Sequence, residues 1–84
     1  MSYEKVAQVQ SRITSGVKQT LKAMKSNLVS EVYIAEDADQ AITYKVVELA
    51  KELGITLRYV DSMKKLGLAC GIDVGASTVA IKHA

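Results

Sequence analysis

The sequence predicts an α/β fold, a three-layer α/β/α sandwich around a small mixed sheet. Three observations lead there. Short β-branched and aromatic segments alternate with stretches whose apolar residues recur at helical spacing, and strands separated by helices favour a sheet covered on both faces. Hydrophobic residues make up 49% of the chain and charged ones 24%, with no Pro, which excludes disorder, collagen-like repeats and Pro-rich linkers. The four Tyr are the only aromatic residues, so the core must come from Val, Ile, Leu, Ala and Met, and such small side chains imply close packing of helices on strands. A length of 84 residues leaves room for one domain, residues 1–84, and none for a two-domain enzyme.

In chain order, residues 2–11 place Val6 and Val9 three apart among polar residues, which predicts a short amphipathic helix capped by Ser2. Ile13 and Thr14 suit a very short strand before Ser15 and Gly16, where the next helix begins. Val17, Leu21, Met24 and Leu28 then form one apolar stripe, flanked by Lys18, Lys22 and Lys25 one residue on. EVYIA at residues 31–35 predicts a buried strand. Glu36, Asp37 and Asp39 follow as a turn and a helix start, where carboxylates cap free amides. That helix runs to Leu53 with Ile42, Val46, Leu49 and Leu53 inward, and Gly54 ends it in the left-handed conformation. ITLRYV at residues 55–60 predicts a second strand. Asp61 or Ser62 caps a short helix through Met63, Leu66 and Ala69, ended by Gly71. The glycine-bounded loop GIDVG, residues 71–75, leads into a last strand over residues 77–82.

Composition excludes several functions. Cys70 is the single cysteine and His83 the single histidine, so neither an internal disulfide nor a zinc site is expected, and no cofactor or metal is implied. No stretch has the length of a signal peptide's apolar core or of a membrane helix, so a soluble, cytoplasmic protein is expected, without a membrane partner. A Walker loop, a GxSxG turn and a metal-ligand cluster are all missing. Cys70 has no His placed beside it, and so small a domain has little room for a deep cleft for a small-molecule substrate. No long apolar stripe demands a partner copy, so a monomer is expected.

The net charge of +2 conceals two opposed blocks. Residues 11–30 carry Arg12, Lys18, Lys22 and Lys25 with no acid, and residues 31–39 carry Glu31, Glu36, Asp37 and Asp39 with no base. A lysine stripe is most often a solvated helix face. Here, however, Ser15, Gly16 and Val17 bring free backbone amides to the start of the same helix, and amides with adjacent lysines make an anion site suited to phosphate. Lys18 and Gln19 on the first turn carry groups that can reach guanine edges. Ile72 and Val74 would ordinarily be buried as the lead-in to a strand; an apolar loop tip can also pack against an unstacked RNA base.

Together, GVKQTLK at residues 16–22, VYIAEDAD at 32–39 and LGLACGIDVGAS at 66–77 resemble the ribosomal protein family known as L seven Ae, and more closely its small bacterial kink-turn RNA-binding members. The resemblance covers nearly the whole chain in order. It implies an α/β/α sandwich that binds kink-turns, in which a short bulge precedes tandem sheared G·A pairs and bends the RNA sharply. Archaeal and eukaryotic members carry Asn and Glu on the first turn and a Lys three residues later. The matching positions here are Lys18, Gln19 and Lys22, with Gly16 as the motif's glycine. The loop with Gly71, Ile72, Asp73 and Val74 matches the second contact region beside the extruded base, and Asp39 matches an acidic position at the flipped nucleotide. The Lys of the family's Ser-Lys pair is Met63 here, with Lys64 next to it.

The implied activity is non-enzymatic recognition of structured RNA, either ribosomal RNA or an mRNA leader, in association with the ribosome. Lys22, Lys25 and Arg12 would neutralise phosphates, Lys18 and Gln19 would select the G·A step, and Ile72 and Val74 would cover the unstacked base. Two alternatives stand beside it: a ribosome-associated protein-interaction scaffold, and a small enzyme using Asp37, Asp39 and Cys70.

Overall fold

A computed structural model describes residues 3–83. Helix α1 (Tyr3–Gln8) and a single 3-10 turn (Gln10–Arg12) precede strand β1 (Ile13–Ser15) and helix α2 (Val17–Lys25). Strand β2 (Val29–Ala35), helix α3 (Gln40–Leu53), strand β3 (Thr56–Val60), helix α4 (Met63–Ala69) and strand β4 (Thr78–Lys82) follow. The cap expected of Ser2 lies outside the described residues.

The four strands form one sheet in the order β1-β4-β2-β3. Strands β2 and β3 run parallel, with Ala35 opposite Val60, whereas β4 is antiparallel to both β1 and β2. The result is the expected sandwich. Side chains alternate across the pleat. Val32, Ile34 and Ala80 pack on one side with Met24 of α2 and Val46 and Ala50 of α3. Tyr33, Ala35, Val79 and Ile81 pack on the other with Val6 of α1 and Leu66 of α4. The central strand β2 is covered on both faces, which is why its sequence reads as a nearly unbroken apolar run.

Three expectations are corrected. Helix α2 ends at Lys25, and Asn27 takes a left-handed turn (φ 60°), so Leu28 leaves the stripe and stands half-exposed. In α3 the inward face is Thr43, Val46 and Ala50, while Ile42 and Leu53 are about half-exposed. Threonine and alanine let α3 lie close on the sheet, and the bulkier residues are left on its flanks. Glu31 does not belong to the acidic surface block. It is buried within β2, accepting hydrogen bonds from Lys5 Nζ and the Tyr33 hydroxyl, both at 2.8 Å, with Arg58 Nε 3.6 Å away.

Burial alone would raise the pKa of the Glu31 carboxyl, but the hydrogen bonds from Lys5 and Tyr33 and the charges of Lys5 and Arg58 outweigh it and hold the pKa below the ordinary range. A carboxyl whose folded pKa is depressed contributes stability that is present above its unfolded pKa of about 4 and is lost as pH falls through the folded value. Glu31→Gln is therefore expected to lower unfolding stability at pH 7 by about 1–2 kcal/mol and to flatten its decline below about pH 4. Urea titrations at a series of pH values check this; a mutant with the same acid dependence as the parent removes Glu31 from the account.

Candidate functional site

The sheet topology gathers four connections at one end. Because β2 and β3 are parallel and β4 runs against them, the C-terminal ends of β1, β2 and β3 lie beside the N-terminal end of β4. Backbone hydrogen bonds join them: Gly16 N to Thr78 O at 2.9 Å, Ala35 N to Ser77 O at 3.0 Å, Glu36 N to Val60 O at 2.7 Å and Ala76 N to Met63 O at 3.0 Å. The start of α2, the acidic turn, the start of α4 and the loop before β4 thus share one edge of the molecule.

Helix α2 opens differently from its neighbours. Asp39 caps α3 by accepting from Ala41 N at 2.9 Å, and Ser62 caps α4 by accepting from Lys65 N at 3.2 Å. The N-cap of α2 is Gly16, which has no side chain to accept from the opening amides. The expectation of free amides from Ser15 onward is corrected: Ser15 is paired in β1 and Gly16 N is taken by Thr78 O, so the open amides begin at Val17. Gly16 has φ 92° and ψ 151°, a region almost confined to glycine, so backbone conformation rather than space selects the residue. The missing side-chain cap is what sets α2 apart; its first turn holds no acid, a feature it shares with α3 and α4, although the positive end of a helix dipole favours acids there. It holds exposed Lys18 and Gln19 instead. Lys22 is four residues from Lys18 and three from Gln19, so all three share a face. That face is electrostatically unfavourable until an anion joins it. Lys25, on the last turn, continues the same face three residues beyond Lys22 but lies about 10 Å farther along the axis than Lys18, away from the helix start. Arg12 is half-buried in the 3-10 turn.

The glycine loop is folded onto α4. Ile72 N donates to Gly67 O at 3.1 Å, and a Cβ on Gly67 would stand 2.1 Å from the Val74 carbonyl oxygen, so only glycine admits this approach. The loop's two apolar residues part company. Ile72 is half-buried against the α1/α4 core, whereas Val74 is 70% exposed. Gly71 and Asp73 are also exposed, and Lys64 stands exposed on the first turn of α4. Leu68, 62% exposed on α4, is a further apolar surface residue that sequence reasoning missed; its place two residues from the buried Leu66, with Lys64 and Lys65 one turn before it, was the available signal.

Asp37 was expected to serve the start of α3. Its Oδ1 instead accepts from Met63 N at 2.8 Å, bracing the start of α4 across the sheet. No local pattern reveals that pairing, because the partners are 26 residues apart. Burial pushes the Cys70 thiol pKa up, which disfavours the thiolate a nucleophile would need. Asp39 is exposed while it caps α3. Among the described residues, no cluster of three or more His, Cys, Asp or Glu could hold a metal ion.

The profile of the "Ribosomal protein L7Ae/L30e/S12e/Gadd45 family" matches residues 1–84. An "RNA-binding protein" of Bacillus pumilus is 58% identical over 81 residues, covering 96% of this chain and 98% of that one. The "Large ribosomal subunit protein eL8" of Haloquadratum walsbyi is 35% identical over 77 residues, 90% of this chain and 64% of that one. Among solved structures, the "Giardia lamblia 15.5kD RNA binding protein" superposes with a TM-score of 0.92 at 25% identity, covering 98% of this chain and 71% of that one. A fold that puts the uncapped start of α2 beside the loop before β4, a profile match from end to end and a 58% identical relative matched over 98% of its length lead to one conclusion: the chain belongs to the ribosomal protein L7Ae/L30e/S12e/Gadd45 family.

Proposed function

We propose that residues 1–84 form a single RNA-binding domain that recognises kink-turns and stabilises their bent form. The observation that carries this reading is the start of α2, where uncapped amides, Lys18, Gln19 and Lys22 meet on one face at the same end of the sheet as the glycine loop. Family membership and the RNA-binding names of the relatives support RNA as the partner class. The ribosomal name of the archaeal relative favours ribosomal RNA over an mRNA leader, and with it a place on the ribosome in the cytoplasm. Among the described residues no helix is long and apolar enough to cross a membrane.

In this reading the opening amides of Val17, Lys18 and Gln19, together with Lys22, hold phosphates crowded by the bend, with Lys25 and Arg12 adding to the field. Lys18 and Gln19 reach the sheared G·A step, where Lys donates to guanine acceptors and Gln both donates and accepts. Val74 supplies the exposed apolar surface against the unstacked base, and Ile72 fixes the loop beneath it from the core. Gly71 and Asp73 shape the loop's outer edge. Asp39, exposed while it caps α3, can accept from the flipped nucleotide, and Lys64 stands in for the displaced lysine of the Ser-Lys pair. Binding selects the bent RNA by its higher affinity for that state. No turnover is required, and a monomer suffices.

Gel shifts with a kink-turn RNA, and with the same RNA after replacement of its G·A pairs, test the reading directly; equal affinity for both overturns it. Gln19→Ala is expected to weaken binding to the kinked RNA by about 1–3 kcal/mol and to leave a plain duplex nearly unaffected. An equal loss on both RNAs would show that Gln19 does not read bases. Lys25→Ala is expected to lower affinity without changing the choice of RNA and to reduce the slope of log K against log salt by about 1. Gly67→Ala forces the Val74 carbonyl away from α4, so it is expected to cost about 1–3 kcal/mol in stability and to weaken binding to the kinked RNA; unchanged binding by a folded variant would take the loop out of the interface.

A further inference from the structure

A second concave surface, with a volume of about 350 Å³, lies between α3 and β3 and borders the acidic turn at Asp39, whose neighbours Ala38 and Gln40 line it. Its floor includes Ile34 and Val47, and its walls carry Tyr44 and Glu48 from α3, Tyr59 from β3 and Glu36 from the turn after β2. Tyr44 and Glu48 are one helical turn apart, and Tyr59 stands opposite Ile34 in the β2/β3 ladder, so elements distant in sequence converge on the groove. Both tyrosines are 49% exposed. Among the described residues, neither carboxylate has an ion-pair partner, neither phenol has a hydrogen-bond partner, and no lining residue is basic.

We infer that this groove receives an arginine side chain presented by a basic segment of a protein partner. The walls and floor match each part of that side chain. An apolar floor suits the methylene stem, the tyrosine rings suit a planar cation, and the two carboxylates complement its charge and its N–H groups. At about 350 Å³ the groove is near the lower end of ligand sites, which span about 300–1,000 Å³, and is of a size for one long side chain. Glu36 and Glu48 would repel the phosphates of a nucleic acid, which separates this surface from the lysine-bearing start of α2. The inference does not rest on the RNA reading: the two surfaces adjoin at Asp39, but no residue that lines the groove is used in that reading.

The test is a titration of the 15N-labelled chain with a terminally blocked Gly-Arg-Gly peptide, beside the peptide with citrulline in place of arginine. Saturable shift changes confined to residues 34–48 and 59 are expected with arginine and not with its uncharged counterpart. Tyr59→Leu and Glu48→Gln, each verified as folded by its amide spectrum, are each expected to weaken that binding by about 2- to 5-fold. No saturable change, an equal response to citrulline, or tighter occupation of the same residues by adenosine monophosphate would each overturn the inference.

Discussion

The arrangement depends on one constraint: β4, the last strand in sequence, is inserted between β1 and β2 and runs against both. Both faces of the sheet depend on it, since Val79 and Ile81 complete one core layer and Ala80 the other. Its N-terminal end also fixes the geometry of the surface. The bond from Gly16 N to Thr78 O sets where α2 begins, and the bond from Ala35 N to Ser77 O sets where β2 gives way to the acidic turn. Motifs separated by some 60 residues become neighbours through strand order alone.

Within that frame the helix starts are divided between stability and exposure. Asp39 closes α3, and Ser62 with Asp37 closes α4. Such caps are worth about 0.5–2 kcal/mol each relative to alanine. Glycine as N-cap costs only about a few tenths of a kcal/mol relative to the polar caps, so α2 leaves its amides open at little expense. Lysine rather than an acid on that first turn costs somewhat more, about 0.3–1 kcal/mol of dipole energy forgone at an exposed site. An anion at the α2 start reverses the sign of that term.

What could be read from the sequence followed from local chemistry. The strands announced themselves through β-branched and aromatic runs, and the stops at Gly54 and the caps at Asp39 and Ser62 are decided within a few residues of where they act. Features that depend on distant partners could not be read in this way. Glu31 looks like one acid among four until Lys5 and Arg58, each more than 25 residues away, are brought to it by α1 and β3. Ile42 and Leu53 have helical spacing suited to a core, but helix α3 presses small residues to the sheet and turns those two outward. For the candidate surface, Lys18, Gln19 and Lys22 share a face by spacing alone. The separation of Val74 from Ile72 required the contact between loop and α4 to be known.

That contact bears on what happens at the surface. The loop over residues 71–75 does not hang free: Ile72 N and Ala76 N donate into α4, and Gly67 admits the Val74 carbonyl against the helix axis. The conformational entropy of ordering those residues, about 1–2 kcal/mol each for the backbone, is lost during folding and is not charged again when something docks. A ligand arriving there meets a mould already set, and the bending falls to the ligand.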